Sequence, residues 1–182
     1  MRQVKKENKK NRFGIFLMAI SSLFSGIFAG IYGMDQIKNY YHPYEFGFIF
    51  CSFGLVIGLV FVNYIKPYLK FDKNQLNQIW LFKTYISVGF IGIMLALGSL
   101  TNKKLSKIIQ CDKFMVVEKT IREDRFRSPG ANFLFVDING EIQRLSCSTN
   151  YWVRTIAGQK IGLCLFERKI GFDFIVINGD KR

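Results

Sequence analysis

The side chains able to do chemistry are few. His42 is the one histidine, and the four cysteines are Cys51, Cys111, Cys147 and Cys164. None of them forms a CxxC or Cys/His pattern with zinc-ligand spacing. Cys147 and Cys164 have no histidine in their own half of the chain to raise their nucleophilicity, and His42 stands in a short polar connection before Pro43. A lone imidazole there reads as an interfacial side chain rather than a proton carrier or metal ligand. There is no glycine-rich phosphate loop, no G-x-S-x-G, no HExxH and no carboxylate pair set for acid–base work. The expectation is a protein that is not an enzyme and needs no cofactor or metal.

Two clusters remain as candidate binding surfaces. Arg122, Arg125 and Arg127 surround Phe126 in the stretch REDRFRSPG, a combination that suits a phosphate, a lipid headgroup or an acidic partner. The adjacent acids Glu123 and Asp124 offset part of that charge, so a solvated loop is the simpler reading. Tyr151 and Trp152 are the second cluster, read first as closure of a barrel end and second as a stacking platform.

The elements that must hold these residues fall into two halves. Residues 13–33, 46–65 and 80–100 are apolar runs with Lys83 as their single charge. At about 1.5 Å per residue, a helix of some twenty residues spans a bilayer core of roughly 30 Å. Three transmembrane helices are therefore expected over 13–100, after a basic cytoplasmic segment, 1–12. The first run is too long for a signal-peptide core and lacks a cleavage signature, which favours an uncleaved anchor. Small residues recur at one-turn spacing: Ser22, Gly26 and Gly30 in the first run, Gly54 and Gly58 in the second, Gly92 and Ala96 in the third. Such stripes let helix backbones approach closely, so these seven residues are the expected packing faces. No Asp, Glu, His or Arg lies within the runs and none is broken by proline, which argues against an ion-coupled transport path carried by this chain alone.

The net charge of +13 sits largely beside the helices. Arg2, Lys5, Lys6, Lys9, Lys10 and Arg12 precede the first run, and Lys66, Lys70 and Lys73 lie in the second connection. The opposite side holds Lys38, then Lys103, Lys104, Lys107 and Lys113. The positive-inside rule then places the N-terminus in the cytoplasm and the C-terminal domain outside. Topology and anionic headgroups account for the charge, and nucleic-acid binding is disfavoured. Tyr32, Tyr40, Tyr41 and Tyr44, around the first connection, are expected at headgroup level.

After residue 107 the period changes to alternation. Strands are expected at 112–121, 132–138, 141–147, 160–166 and 171–177, with a type I′ hairpin at Asn139-Gly140, a helical turn capped by Ser148, Thr149 or Asn150, and a left-handed closure at Gly158. Five strands in so few residues point to a small OB-like or SH3-like barrel over 108–178, closed or nearly so. At most one disulfide can form among its three cysteines, and buried thiols are the simpler expectation.

This layout resembles that of uncharacterised bacterial inner-membrane proteins in which a few helices accompany a small β domain. The NfeD-like proteins, which carry an OB-fold after membrane helices and are tied to membrane quality control, have the same order of elements. The glycine-rich valine strand signature of that family is missing from 108–177, so no residue or role carries over. The expected function is a membrane-anchored interaction or assembly protein, with the bilayer and another membrane protein or a second copy as partners. The alternatives are a toxin-immunity or defence-associated protein and an accessory subunit of an oligomeric channel or transporter.

Overall fold

The computed structural model describes residues 2–67, 76–122, 131–167 and 171–180. Helices α1 (Arg2–Gln36), α2 (Pro43–Ile65) and α3 (Leu76–Leu105) precede strands β1 (Lys107–Arg122), β2 (Ala131–Ile138) and β3 (Glu141–Cys147), helix α4 (Thr149–Arg154), and strands β4 (Lys160–Glu167) and β5 (Phe174–Ile177). The chain divides into a helical unit, Met1–Asp35 with Tyr44–Thr101, and a β unit, Gln36–Pro43 with Asn102–Arg182.

The helical unit contains three helices long and apolar enough to cross a membrane, with spans at Gly14–Gln36, Pro43–Ile65 and Ile79–Leu105. Pro43 opens α2, where its fixed φ suits the first helical position, and Glu45 lies in that first turn beside the positive dipole end. Lys103 and Lys104 complement the opposite dipole end in the last turn of α3. Large apolar side chains point outward, with Phe28 70% and Phe48 76% exposed, as lipid-facing positions require and water-facing ones rarely allow.

With lipid outside, burial gives helices no reason to associate, so contact depends on close backbone approach. α3 is the shared partner. Gly26 of α1 meets Gly89 and Gly92 of α3, and a methyl group added at Gly33 would lie 2.9 Å from the Ala96 nitrogen. On α2, a methyl at Gly54 would come within 2.6 Å of the Ile91 Cα, and one at Gly58 within 2.8 Å of the Ser87 Cα. Ala19, Val62, Phe82 and Ile86, one or two from each helix, form a buried cluster, with Phe61 and Phe90 packed ring to ring at 5.1 Å.

The β unit is an antiparallel sheet in the order β3-β2-β1-β4-β5. β1 is long because it serves two partners: its first half pairs with β4 and its second with β2, and Met115 stands opposite both Lys160 and Asp137. Register shifts between Val116 and Glu118 and between Ile108 and Gln110 add the local twist that curls the sheet. Alternate residues Phe114 and Val116, Leu134 and Val136, and Ile161, Leu163 and Leu165 line one buried core. Fully burying each aliphatic side chain contributes about 1.5–3 kcal/mol.

Several expectations hold in detail. Asn139 (φ 55°) and Gly140 (φ 92°) make the tight β2–β3 turn, and Asp137 accepts the Gly140 N–H at 2.8 Å. Ser148 caps α4 by accepting from the Tyr151 N–H, and Gly158 has φ 85°.

Others are corrected. The sheet is a curled half-barrel that stays open, because β3 and β5 do not pair. Helices run further than expected: α3 continues to Leu105 and β1 begins at Lys107, so no polar junction separates them. β5 is shorter than expected, beginning at Phe174. Tyr40 is 5% exposed and stacks on Phe174 at 5.4 Å, while Tyr41 packs on the β core. The α1–α2 connection thus packs as part of the β unit. Finally, Cys111 and Cys164, facing each other across β1 and β4 with Cα atoms 4.1 Å apart, form a disulfide in place of two thiols.

The helix contacts predict a clear contrast. Gly33→Ala and Gly54→Leu should each lower the unfolding free energy in detergent by about 1–3 kcal/mol through overpacking. Gly47→Ala, where nothing among the described residues lies within 4 Å, should be neutral or stabilising by about 0.5–1 kcal/mol. Thermal unfolding of the purified chain in one detergent checks both.

Candidate functional site

One end of the β unit brings chemistry-bearing residues together. After its bulge, β1 places Lys119 opposite Leu134 and Ile121 opposite Asn132, so both side chains share the sheet face over which α4 lies. The Asn132 amide donates to the Thr149 hydroxyl at 2.9 Å and fixes the start of α4. The Lys119 ammonium donates to the carbonyls of Trp152 (2.9 Å) and Thr155 (2.7 Å) and lies 3.8 Å from the Trp152 ring centroid. One lysine therefore satisfies two carbonyls at the helix C-terminus and adds a cation–π contact. Gly158 and Gln159 continue the pairing by exchanging hydrogen bonds with Val116 at 2.7 and 2.9 Å.

This framework leaves aliphatic side chains in solvent. Val153 is 65% and Ile156 70% exposed, and Val117 and Ile121 are exposed as well. Arg154 on α4 and Arg122 at the end of β1 are also exposed. α4 and the end of β1 thus carry exposed aliphatic and guanidinium side chains. Tyr151 and Trp152, by contrast, face inward and pack on the core. The Trp152 Nε1 is buried with no acceptor among the described residues.

Arg125, Phe126 and Arg127 lie outside the described residues. His42 sits in the α1–α2 connection, apart in sequence from every other candidate. Among the described residues no group of three or more His, Cys, Asp or Glu is placed to hold a metal ion. In the helical unit, Ser22 of α1 meets Gly89 of α3, Gly26 meets Gly89 and Gly92, Gly30 lies opposite Gly92, Gly33 opposite Ala96, and Gly54 and Gly58 face Ile91 and Ser87. Gly33, Gly89 and Gly98 belong to these contacts too, although the small-residue spacing did not single them out. Gly98 is covered by the Phe50 ring, a larger neighbour that spacing within one helix does not reveal.

A second cluster surrounds the open seam of the sheet. The Asn39 side chain donates to the Ser146 carbonyl (3.1 Å) and accepts the Ser146 N–H (2.8 Å), copying what a neighbouring strand's peptide would offer β3. Its backbone carbonyl accepts the Ile175 N–H of β5 at 3.0 Å, and Tyr41 N–H donates to the Asp173 carbonyl at 3.1 Å. The Asp180 carboxylate accepts the Ser148 N–H at 3.1 and 3.3 Å, a further bridge beside the seam. Asn102 repeats the Asn39 device, donating to the Phe172 carbonyl at 2.7 Å and accepting its N–H at 3.2 Å.

Two phenols beside these bridges are perturbed. Burial first, then Asp173 and Glu141, hold the Tyr41 phenol above its ordinary value of 10.0. Burial, then Asp180 and Cys147, do the same for Tyr151. The folded state keeps these protons to higher pH than the unfolded chain does. Their contribution is whole below pH 10 and is lost as pH rises through the folded values. The unfolding temperature of the full chain should therefore fall above pH 10, and the Tyr41→Phe, Tyr151→Phe pair should flatten that fall when melts are compared across the alkaline range. Separately, Lys119→Met should cost about 1–3 kcal/mol by removing the lysine donor from the Thr155 carbonyl and leaving the Trp152 carbonyl with only the 3.3 Å bond from the Thr155 N–H, whereas Trp152→Phe, which removes a donor without an acceptor among the described residues, should cost less than Lys119→Met in the same melts.

Comparison with protein families, with curated proteins and with solved structures finds no match to this chain.

Proposed function

We propose that this chain is a membrane-anchored, non-enzymatic interaction protein of a bacterial inner membrane, which presents its β unit to a partner on the extracytoplasmic side. The observation that carries the reading is the α4 end of the β unit. There Lys119 anchors the C-terminal end of α4, Val153, Arg154 and Ile156 are exposed in and just after that helix, and Arg122 is exposed at the end of β1. Exposed aliphatics held on a fixed scaffold beside arginine have the make-up of a contact surface, apolar at its centre and polar at its rim.

Two independent features support the side. Lys and Arg are concentrated in the N-terminal segment and the second connection, the pattern of cytoplasmic flanks. The Cys111–Cys164 disulfide belongs in an oxidising compartment, since cytosolic thiols are kept reduced.

A phosphatase fused after Arg182 should be active and a fluorescent protein fused there dark. Cys111 and Cys164 should react with maleimide in cells only after reduction. An inactive phosphatase with readily labelled thiols would reverse the orientation. For the surface itself, a photo-crosslinking residue at Ile156 should give one discrete adduct in cells, abolished by Val153→Asp. Absence of any adduct from Ile156 would remove the interaction reading.

A further inference from the structure

We propose that the start of β1 is a second membrane anchor, a basic and apolar surface that binds anionic phospholipid headgroups of the bilayer the helices cross. Each of the three spans has one end in the β unit: the first closes at Gln36, the second opens at Pro43 and the third closes at Leu105, while Gln36–Pro43 and Asn102–Arg182 together make up that unit. The β unit therefore has an end from which the helices leave. Contacts inside the unit define it. The Asn102 side chain of the last α3 turns is bonded to the Phe172 backbone at 2.7 and 3.2 Å, the Lys103 ammonium donates to the Gln36 side-chain carbonyl, and the Tyr41 N–H donates to the Asp173 carbonyl. β1 starts at this end and β4 finishes there, with Lys107 opposite Glu167 and Ile108 opposite Phe166.

The side chains at this start break the usual alternation of a strand. The register shift between Ile108 and Gln110 leaves Ile109 without a ladder partner, and both isoleucines, 61% and 59% exposed, stand in solvent in succession. Leu105 is exposed just before them, and Lys103, Lys104 and Lys107 are exposed as well. Glu167, opposite Lys107, offsets one of these charges. Aliphatic side chains interleaved with lysine suit a headgroup layer, where the first reach the acyl boundary and the ammonium groups pair with phosphates. Reach selects lipid as the occupant. A chain extends by at most about 3.3–3.6 Å per residue, so Ile108 and Ile109 lie no more than about 14 Å from Leu105, where the span ends and the headgroup layer begins. Chain connectivity alone imposes this. The surface is at the opposite end of β1 from Lys119, and it binds lipid whether or not α4 has a partner.

The test uses the full chain in nanodiscs of phosphatidylcholine and phosphatidylglycerol in equal parts, with a photo-crosslinking residue at Ile109, which has no ladder partner to lose. Mass spectrometry should find phospholipid on the peptide carrying residue 109, with phosphatidylglycerol favoured over phosphatidylcholine by at least about fivefold, the order that one surface lysine is worth beside an anionic leaflet. The Lys104→Gln, Lys107→Gln pair should remove that preference. The same probe at Ile142, equally exposed but on β3, should take up no lipid, and at Phe28 in the α1 span it should take up both lipids alike. Should the Ile109 variant fail to insert, the probe at Ile108 is expected to give the same readings. No lipid at Ile109 while Phe28 is labelled would overturn the anchor and leave the transmembrane reading intact. Equal uptake at Ile142, a crosslink to a second copy in place of lipid, or equal yields from the two lipids would overturn it too.

Discussion

A curled sheet that does not close must satisfy the peptide groups along both of its edges, and this constraint organises the β unit. Exposed edges invite pairing with other chains and are usually shortened, charged or covered. Here they are covered from within the same molecule, by a segment distant in sequence that brings one amide side chain to β3 and one carbonyl to β5. The substitute is chemically apt. A primary amide offers one donor pair and one acceptor in nearly the geometry of a peptide, so Asn39 and Asn102 can each stand in for a strand residue where no strand is present.

The two units are cohesive for different physical reasons. In the β unit, water drives Val116, Leu134, Val136 and Leu163 together, and the alternation of apolar and polar residues decides which face of the sheet is inside. In the helical unit the solvent is itself apolar and that force vanishes. Contact there rests on dispersion between backbones brought together at Gly26, Gly54, Gly58, Gly89 and Gly92. The same arrangement explains why α3 is more enclosed than α1, with 39% of its most apolar stretch buried against 11%. It has a partner on two sides.

These origins also explain what could be read from the amino-acid order. Long apolar runs, the small-residue stripes and the Asn139-Gly140 turn are local patterns, and helices, packing faces and hairpin were legible from them. The Cys111–Cys164 bond depends on the register of β1 against β4, which is set by bulges near Val117 and Ile109 that no local pattern announces. The seam was less visible still. Residues 36–43 read as an interfacial loop because tyrosines favour headgroups, and nothing local announces the burial of Tyr40 against Phe174. Of the candidate surface, Arg122 and the inward Tyr151 and Trp152 were picked out by residue type. The outward Val153 and Ile156 were not, since an apolar residue in a short helix ordinarily signals core.

Lys119 extends the logic of Asn39 and Asn102 to the far part of the sheet. In each of the three positions the backbone leaves polar groups that no ladder reaches: the edge of β3, the approach to β5, and the final carbonyls of α4. In each, a side chain from another element supplies the missing partner. Backbone groups buried without partners are costly, so these polar contacts act as conditions for the fold more than as additions to it. They also connect segments that the hydrophobic core alone would leave independent. α4 is tied to β1 and the approach to β5 to the end of α3, while the open edges are tied to the connection between two membrane helices. A small sheet whose boundary is made this way depends on single polar side chains from Asn39, Asn102 and Lys119 as well as on its apolar core.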